Sequence, residues 1–295
     1  MIGDFVYING EFFAPQDAKV SVFDHGFIYG DGIFEGLQAA KGGIFRLDAH
    51  MDRLYRSAKY MEIEIPLTRG AFIAAILETA QRNNLRDGYM RPVVSRGAGP
   101  TGLRNMDKLG PPTVAIIAQH ETEGMHRSGK GVAAHVTSIR RIPSECLDSR
   151  VKSCNYINNI LAYLETRHCG AESAIMLDLN GNVSEGYANN IFAVDGSTVV
   201  TPPLGNVLAG ITRDVIIELC RSQEIPIVER PLTVYDLVTG SEAFESSTLG
   251  EVVPIASIDG QVIGNSTPGP VTSRIHLALR KLIDSGREST PIFNA

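Results

Sequence analysis

Between positions 48 and 61 the apolar residues Met51, Leu54, Ala58 and Met61 recur at three- and four-residue steps. That spacing predicts an amphipathic helix with Asp48 as its N-cap. A second helix is predicted over about 69–84, with Phe72, Ile73, Ile76 and Leu77 inward and Thr68 as its cap. Before them, Phe5-Val-Tyr-Ile8 and Glu11-Phe-Phe13 flank Asn9-Gly10, a pair that readily takes the positive φ angles of a two-residue hairpin turn. The β-branched runs 89–96 and 112–118 predict strands.

The polar run 121–130 separates two strand-like segments and is the expected linker. It divides the chain into a domain over 1–120 and a second over 131–295. The second half opens with a strand over 131–138. A helix carrying Ile160, Leu161 and Leu164 follows Tyr156 and stops near Gly170, a good residue just past a helix end. Strands are expected over 173–178 and 190–194, the latter turned by Asp195-Gly196 into 198–201. Gly210 leads into a helix with Val215, Ile216 and Leu219 apolar, and its first backbone N–H groups make an anion site. A strand-turn unit over 243–250 offers the hydroxyls of Ser246, Ser247 and Thr248, and a helix over about 269–282 closes the chain.

Composition narrows the function classes. Apolar residues make up 43% of 295 residues and charged ones 20%, which suits a soluble globular chain of about two domains. Lys and Arg number 27 against 33 Asp and Glu, with no basic tract, so nucleic acid is not an expected partner. No stretch is long and apolar enough to span a bilayer, the N-terminal residues do not read as a signal peptide, and a cytoplasmic location is expected. The four cysteines show no paired spacing and are expected to be reduced and mostly buried. The histidines lack metal-binding spacing, so no metal is expected.

The stretch Arg150-Val-Lys-Ser-Cys-Asn-Tyr156 places Lys152 and Tyr156 four residues apart where a strand-like segment passes into a helix. A lysine amine is a nucleophile only when neutral, so it needs burial or a cationic neighbour such as Arg150 to act at pH 7. Arg53 lies beside the apolar stripe of the first helix, where its planar fork could clamp a phosphate. In Tyr29-Gly-Asp-Gly-Ile-Phe-Glu-Gly36 three glycines interleave with aromatic and apolar residues that could wall a pocket. A covalent lysine, the Ser184-Glu185-Gly186 carboxylate, an arginine, a helix N-terminus and a hydroxyl turn are together what pyridoxal 5′-phosphate requires.

With these motifs, and with His50-Met-Asp-Arg-Leu54, Tyr89-Met-Arg91, Arg96-Gly-Ala-Gly-Pro-Thr-Gly-Leu103, Asn190-Ile-Phe192 and Gly210-Ile-Thr-Arg-Asp214 in the same order, the chain resembles the class IV aminotransferases of pyridoxal-phosphate fold type IV. Their branched-chain enzymes are the nearest group. The resemblance implies an α/β (α+β) fold: a small α/β domain and a larger pseudo-barrel domain that binds the cofactor, in a homodimer or higher homo-oligomer. It implies that Lys152 forms the Schiff base and moves the substrate proton, Glu185 pairs with the pyridine nitrogen and Tyr156 bonds the ring's phenolic oxygen. Arg53, the backbone of Ile211 and Thr212, and Thr248 would hold the phosphate. Tyr29, Phe34, Gly36, Tyr89, Arg91, Thr248 and Leu249 would contact substrate, with Arg91 reading the distal carboxylate of glutamate. The implied reaction moves an amino group between L-leucine, L-isoleucine or L-valine and 2-oxoglutarate.

Two positions depart from the branched-chain pattern. Gln38 stands where an arginine is usual, and Ser247-Thr-Leu-Gly250 stands where Gly-Thr-Ala-Ala is usual; its Ser-Ser-Thr variant, Ser246-Ser-Thr248, is similar to the D-amino-acid transaminases. A D-amino-acid or (R)-amine transaminase is therefore the alternative, and an aminodeoxychorismate lyase a further one, since cofactor residues do not separate these activities.

Overall fold

The structure is a computed structural model that describes residues 1–120, 131–265 and 268–293. In chain order its elements are β1 (Val6–Ile8), β2 (Glu11–Phe13), α1 (His25–Tyr29), β3 (Gly32–Phe34), β4 (Leu37–Ala40), β5 (Gly43–Phe45), α2 (Leu47–Tyr60), α3 (Arg69–Arg82), β6 (Gly88–Ser95), β7 (Thr113–His120), β8 (Val132–Val136), α4 (Ile157–His168), β9 (Ser173–Ile175), β10 (Asn190–Asp195), β11 (Thr198–Thr201), α5 (Ile211–Ser222), β12 (Ile227–Glu229), α6 (Val234–Thr239), β13 (Glu242–Ser247), β14 (Glu251–Ile258), β15 (Gln261–Val262), α7 (Pro270–Asp284) and β16 (Ser289–Pro291). The described residues fall into two compact units, one of 1–120, 151–156 and 282–293, the other of 131–150, 157–265 and 268–281. This differs from the expected division, which put the whole of 131–295 in the second domain. The Lys152 segment pairs with the first unit, through the bridge Ile33–Ser153 and the bonds Phe34 N–H to Lys152 C=O at 3.0 Å and Cys154 N–H to Gly32 C=O at 2.8 Å. The expected linker, 121–130, lies outside the described residues.

The first unit is built on a sheet ordered β16-β5-β4-β6-β7-β1-β2, with β3 paired to β6. Asn9 and Gly10 take φ of 49° and 99°, so β1 and β2 form the predicted hairpin. Leu47, Met51, Leu54 and Ala58 of α2 and Phe72, Ile76 and Ala80 of α3 are buried in a core with Ile33, Leu37, Ile44 and Met90. Thr68 caps α3 as its spacing predicts, its hydroxyl accepting from the Ala71 amide. Asp48 does not cap α2. The helix starts after Arg46, a left-handed residue with no side-chain cap bond, and Asp48 sits in the first turn.

The second unit's sheet runs β12-β11-β10-β13-β14-β8-β9, with β15 on β14. Pairs β11–β12, β14–β8 and β8–β9 are parallel and the remainder antiparallel, a mixed α/β arrangement. Its core gathers Ile175, Val183, Ile191, Ala193, Val253 and Ile255. Helix α4 ends where Gly170 turns left-handed, but its apolar residues do not face a core. Ile157, Ile160, Leu161 and Leu164 are exposed, while Asn159, Ala162 and Thr166 are buried. Spacing locates an apolar stripe; it does not say what covers it. The cysteines are all free, and only Cys220 is buried, against the expectation of mostly buried thiols. Among the described residues no helix is long and apolar enough to cross a membrane, and no group of three or more His, Cys, Asp or Glu could hold a metal ion.

Candidate active site

In the first unit, the extended segment ahead of α4 carries Lys152. Its backbone N–H donates to Ser57 Oγ of α2 at 3.3 Å, and its carbonyl accepts from Phe34. Lys152 Nζ lies 3.4 Å from Tyr156 Oη and 4.7 Å from the centre of the Phe34 ring, which meets Tyr156 edge-on. The amine thus sits against an aromatic surface with one hydroxyl beside it. Burial pushes the neighbouring Cys154 thiol up to about 11, so it stays protonated at neutral pH and does not compete as a nucleophile.

Beside this group, Arg91 of β6 stacks over Phe34 at 4.4 Å, and its Nε donates to Tyr89 Oη at 2.8 Å. Burial raises the Tyr89 phenol, partly offset by the Arg91 charge, so it remains a neutral acceptor. Gly36 is required here by space. A Cβ at that position would lie 2.5 Å from Tyr89 Oη. Phe34, Gly36, Tyr89, Arg91, Lys152 and Tyr156 therefore form one continuous group. Tyr29 does not join it through any of these contacts; it is 42% exposed, its hydroxyl accepts from the Gly102 amide, and its ring meets His25.

Arg53 is buried on α2, where it forms a two-point bond to Glu35: Nε to Oε1 at 2.6 Å and Nη2 to Oε2 at 2.7 Å. Nothing in the spacing of the Phe34-Glu-Gly36 run singled out Glu35 as that partner. The signal was available in principle, since an arginine on a buried helix face needs an anion. Arg150 is bonded to Asp148, with Nη2 to Oδ2 at 2.6 Å.

The second unit holds the remaining predicted residues. Glu185 is buried; Oε1 accepts from Arg141 Nε at 2.6 Å and Oε2 from the Leu208 amide at 2.9 Å. Leu208 C=O in turn accepts from Asn190 Nδ2, and Asn190 pairs across the sheet with Ser246. Two residues beyond Leu208, Gly210 is the N-cap of α5 and supplies no side-chain cap, leaving the N–H groups of the first turn, Ile211 and Thr212 included, without an intrahelical acceptor. Thr248 and Leu249 lie in the turn after β13, where the Ser247 hydroxyl accepts from the Gly250 amide at 3.0 Å. Glu185, the α5 entry and the end of β13 are thus linked bond by bond.

Residues 32–258 match the family described as amino-transferase class IV. The chain belongs to the class IV aminotransferases. It is 46% identical over 92% of its length to a Methanocaldococcus jannaschii protein that carries the name branched-chain-amino-acid aminotransferase provisionally, of which it covers 93%. It is 34% identical over 93% of its length to the branched-chain-amino-acid aminotransferase of Escherichia coli K12, covering 91% of that protein. Among solved structures it is similar to the branched-chain aminotransferase of Thermoproteus uzoniensis with norvaline, at a TM-score of 0.92 and 33% identity, covering 99% of this chain and 100% of that one. As an aminotransferase, the chain has two groups that motif reading missed: Glu35 with His50 behind Arg53, and Arg141 behind Glu185.

Proposed function

We propose that this aminotransferase uses pyridoxal 5′-phosphate to move amino groups between L-branched-chain amino acids and 2-oxoglutarate. The observation that carries the substrate reading is Arg91 over the Phe34 ring and bonded to Tyr89, with the Lys152 amine over the same ring. Such a pocket must accept an apolar side chain and then a carboxylate-bearing one, so it needs apolar wall with one cation at its margin. The names of the similar proteins support the same substrate class.

The donor set fits the cofactor. It contains an amine, a hydroxyl beside it, a buried carboxylate held by an arginine, and a helix start with unsatisfied N–H groups. When bound, the group supplies an aldehyde for the amine and a protonated ring that draws electrons from the substrate Cα. Lys152 would be the covalent anchor, and its Nζ would carry the proton removed from the substrate Cα, with Tyr156 Oη holding the amine and bonding the ring's phenolic oxygen. Glu185 would hold the proton on the ring nitrogen, with Arg141 and the Leu208 amide orienting its carboxylate. Arg53, the Ile211 and Thr212 amides and Thr248 would hold the phosphate. Tyr29, Phe34, Gly36, Tyr89, Arg91, Thr248 and Leu249 contact the substrate.

The assembly is proposed to be a homodimer or a larger homo-oligomer. Two apolar surfaces support it: the stripe of Ile157, Ile160, Leu161 and Leu164 on α4, and, in the first unit, the exposed Val20, Val22, Phe23 and Phe27. A cytoplasmic location suits four free thiols. The D-amino-acid alternative loses part of its motivation because the Ser247 hydroxyl is engaged within its own turn.

The function is tested by incubating purified protein with cofactor, L-leucine and 2-oxoglutarate and following glutamate. Stoichiometric glutamate and 4-methyl-2-oxopentanoate are expected. Pyruvate release from aminodeoxychorismate without an amino acceptor would instead make it a lyase.

A further inference from the structure

Glu35 lies between Phe34 and Gly36, two residues of the substrate group, and is completely buried. It receives the two Arg53 bonds, a third from His50 Nδ1 at 2.8 Å, and a longer one from the Gly36 amide at 3.3 Å. Burial alone would raise its pKa, but the charge and hydrogen bonds of Arg53, aided by His50, hold it well below the usual carboxylate range. The carboxylate is therefore an acceptor only, and the proton of the His50 pair resides on Nδ1. His50 is itself buried, and burial lowers its pKa, so the ring is neutral and donates one defined bond.

A closed buried ion pair is a poor source of stability, because desolvation of both charges offsets their attraction. Its more plausible benefit is geometric. Nε and Nη2 account for two of the five N–H donors of a guanidinium, and two bonds to one carboxylate fix the plane of the fork and with it the direction of Nη1. The same carboxylate is covalently continuous with Phe34, whose amide donates to Lys152 C=O. Lys152 N–H in turn donates to Ser57 on α2, one turn beyond Arg53.

We propose that Glu35 is a positioning residue: it orients Arg53 as a phosphate anchor and ties that anchor to the strand that walls the substrate side. This rests on the pyridoxal-phosphate reading above. Phosphate-bearing ligand then depends on Glu35, whereas a ligand without phosphate does not. Simple charge accounting gives the opposite sign, since deleting an anion next to Arg53 should strengthen phosphate binding.

The test compares equilibrium binding of pyridoxal 5′-phosphate and of pyridoxal to the full-length chain stripped of cofactor, in the wild type, Glu35→Gln and Glu35→Asp. In Glu35→Gln the affinity for pyridoxal 5′-phosphate should fall at least about tenfold, the loss expected for one misdirected charge-assisted contact, while pyridoxal changes less than about twofold. Glu35→Asp keeps the charge but not the reach and should show a smaller loss of the same selectivity; it also carries the test should the Gln variant not fold. Equal losses for both ligands would make Glu35 a general structural residue, and tighter phosphate binding would make it a mere counter-charge; either overturns the proposal. If the wild type itself does not bind pyridoxal 5′-phosphate, the cofactor reading fails first, which separates the two.

Discussion

Two buried glutamates, each bonded to an arginine at 2.6 Å, are held differently in their two units. Glu35 accepts four bonds, three from side chains, and its surroundings close over it completely. Glu185 accepts one bond at each oxygen, one of them from a backbone amide. An ionised carboxylate offers about four lone-pair sites, so the four protein bonds crowd Glu35, three of them at Oε2, while the two at Glu185 leave capacity for a ligand. The comparison predicts that removing the two charges gives separable defects, one in anchoring and one in turnover.

The largest effect is expected at the proposed covalent anchor. Lys152→Ala should lose at least about a thousandfold in transamination, within the range for deleting a general acid–base group, and should lose borohydride trapping of the cofactor. Substantial residual turnover would mean that another lysine does the work. Next, Glu185→Gln should slow the single-turnover reaction on the order of a hundredfold while changing cofactor affinity little, as when one fixed electrostatic partner of the reacting system is removed. If Glu35→Gln slowed the chemical step as much as Glu185→Gln does, the distinction between the two glutamates would collapse.

Arg91→Ala should cost at least about tenfold with 2-oxoglutarate or glutamate, about 1.4 kcal/mol, and leave the half-reaction with L-leucine nearly intact. Equal losses with both substrates would show that its stacking on Phe34 is structural only. A separate effect, on stability and not on activity, concerns acid. The folded pKa of Glu35 lies below its unfolded value near 4.3, so its contribution is present above that pH and is lost as pH falls through and below it. The stability advantage of wild type over Glu35→Gln should therefore narrow by about 1.4 kcal/mol for each pH unit below about 4.3, read by urea melts. An advantage unchanged between pH 7 and pH 3 would show that the carboxylate titrates normally.

Local signals located much of this. The Asn9-Gly10 hairpin, the Thr68 cap, the Gly210 helix entry and the left-handed Gly170 follow from conformational preferences that act within a few residues. The misreadings are long-range. Whether Asp48 caps α2 depends on how the chain enters from β5, and the pairing of 151–156 with β3 joins residues more than a hundred positions apart. The α4 stripe was correctly spaced but faces outward, since periodicity carries no information on which face meets a core. Of the proposed functional residues, Lys152 and Glu185 stand out by motif, whereas Glu35 and Arg141 gain a role only as partners in space, each within its own unit.

The most direct test is a set of single-turnover reactions of the cofactor-loaded enzyme, each with one amino donor, followed through the visible absorbance of the bound cofactor. The account predicts rapid loss of that absorbance with L-leucine, L-isoleucine or L-valine, and little change over the same time with D-alanine or an (R)-amine. Faster loss with D-alanine or the (R)-amine than with L-leucine would contradict it.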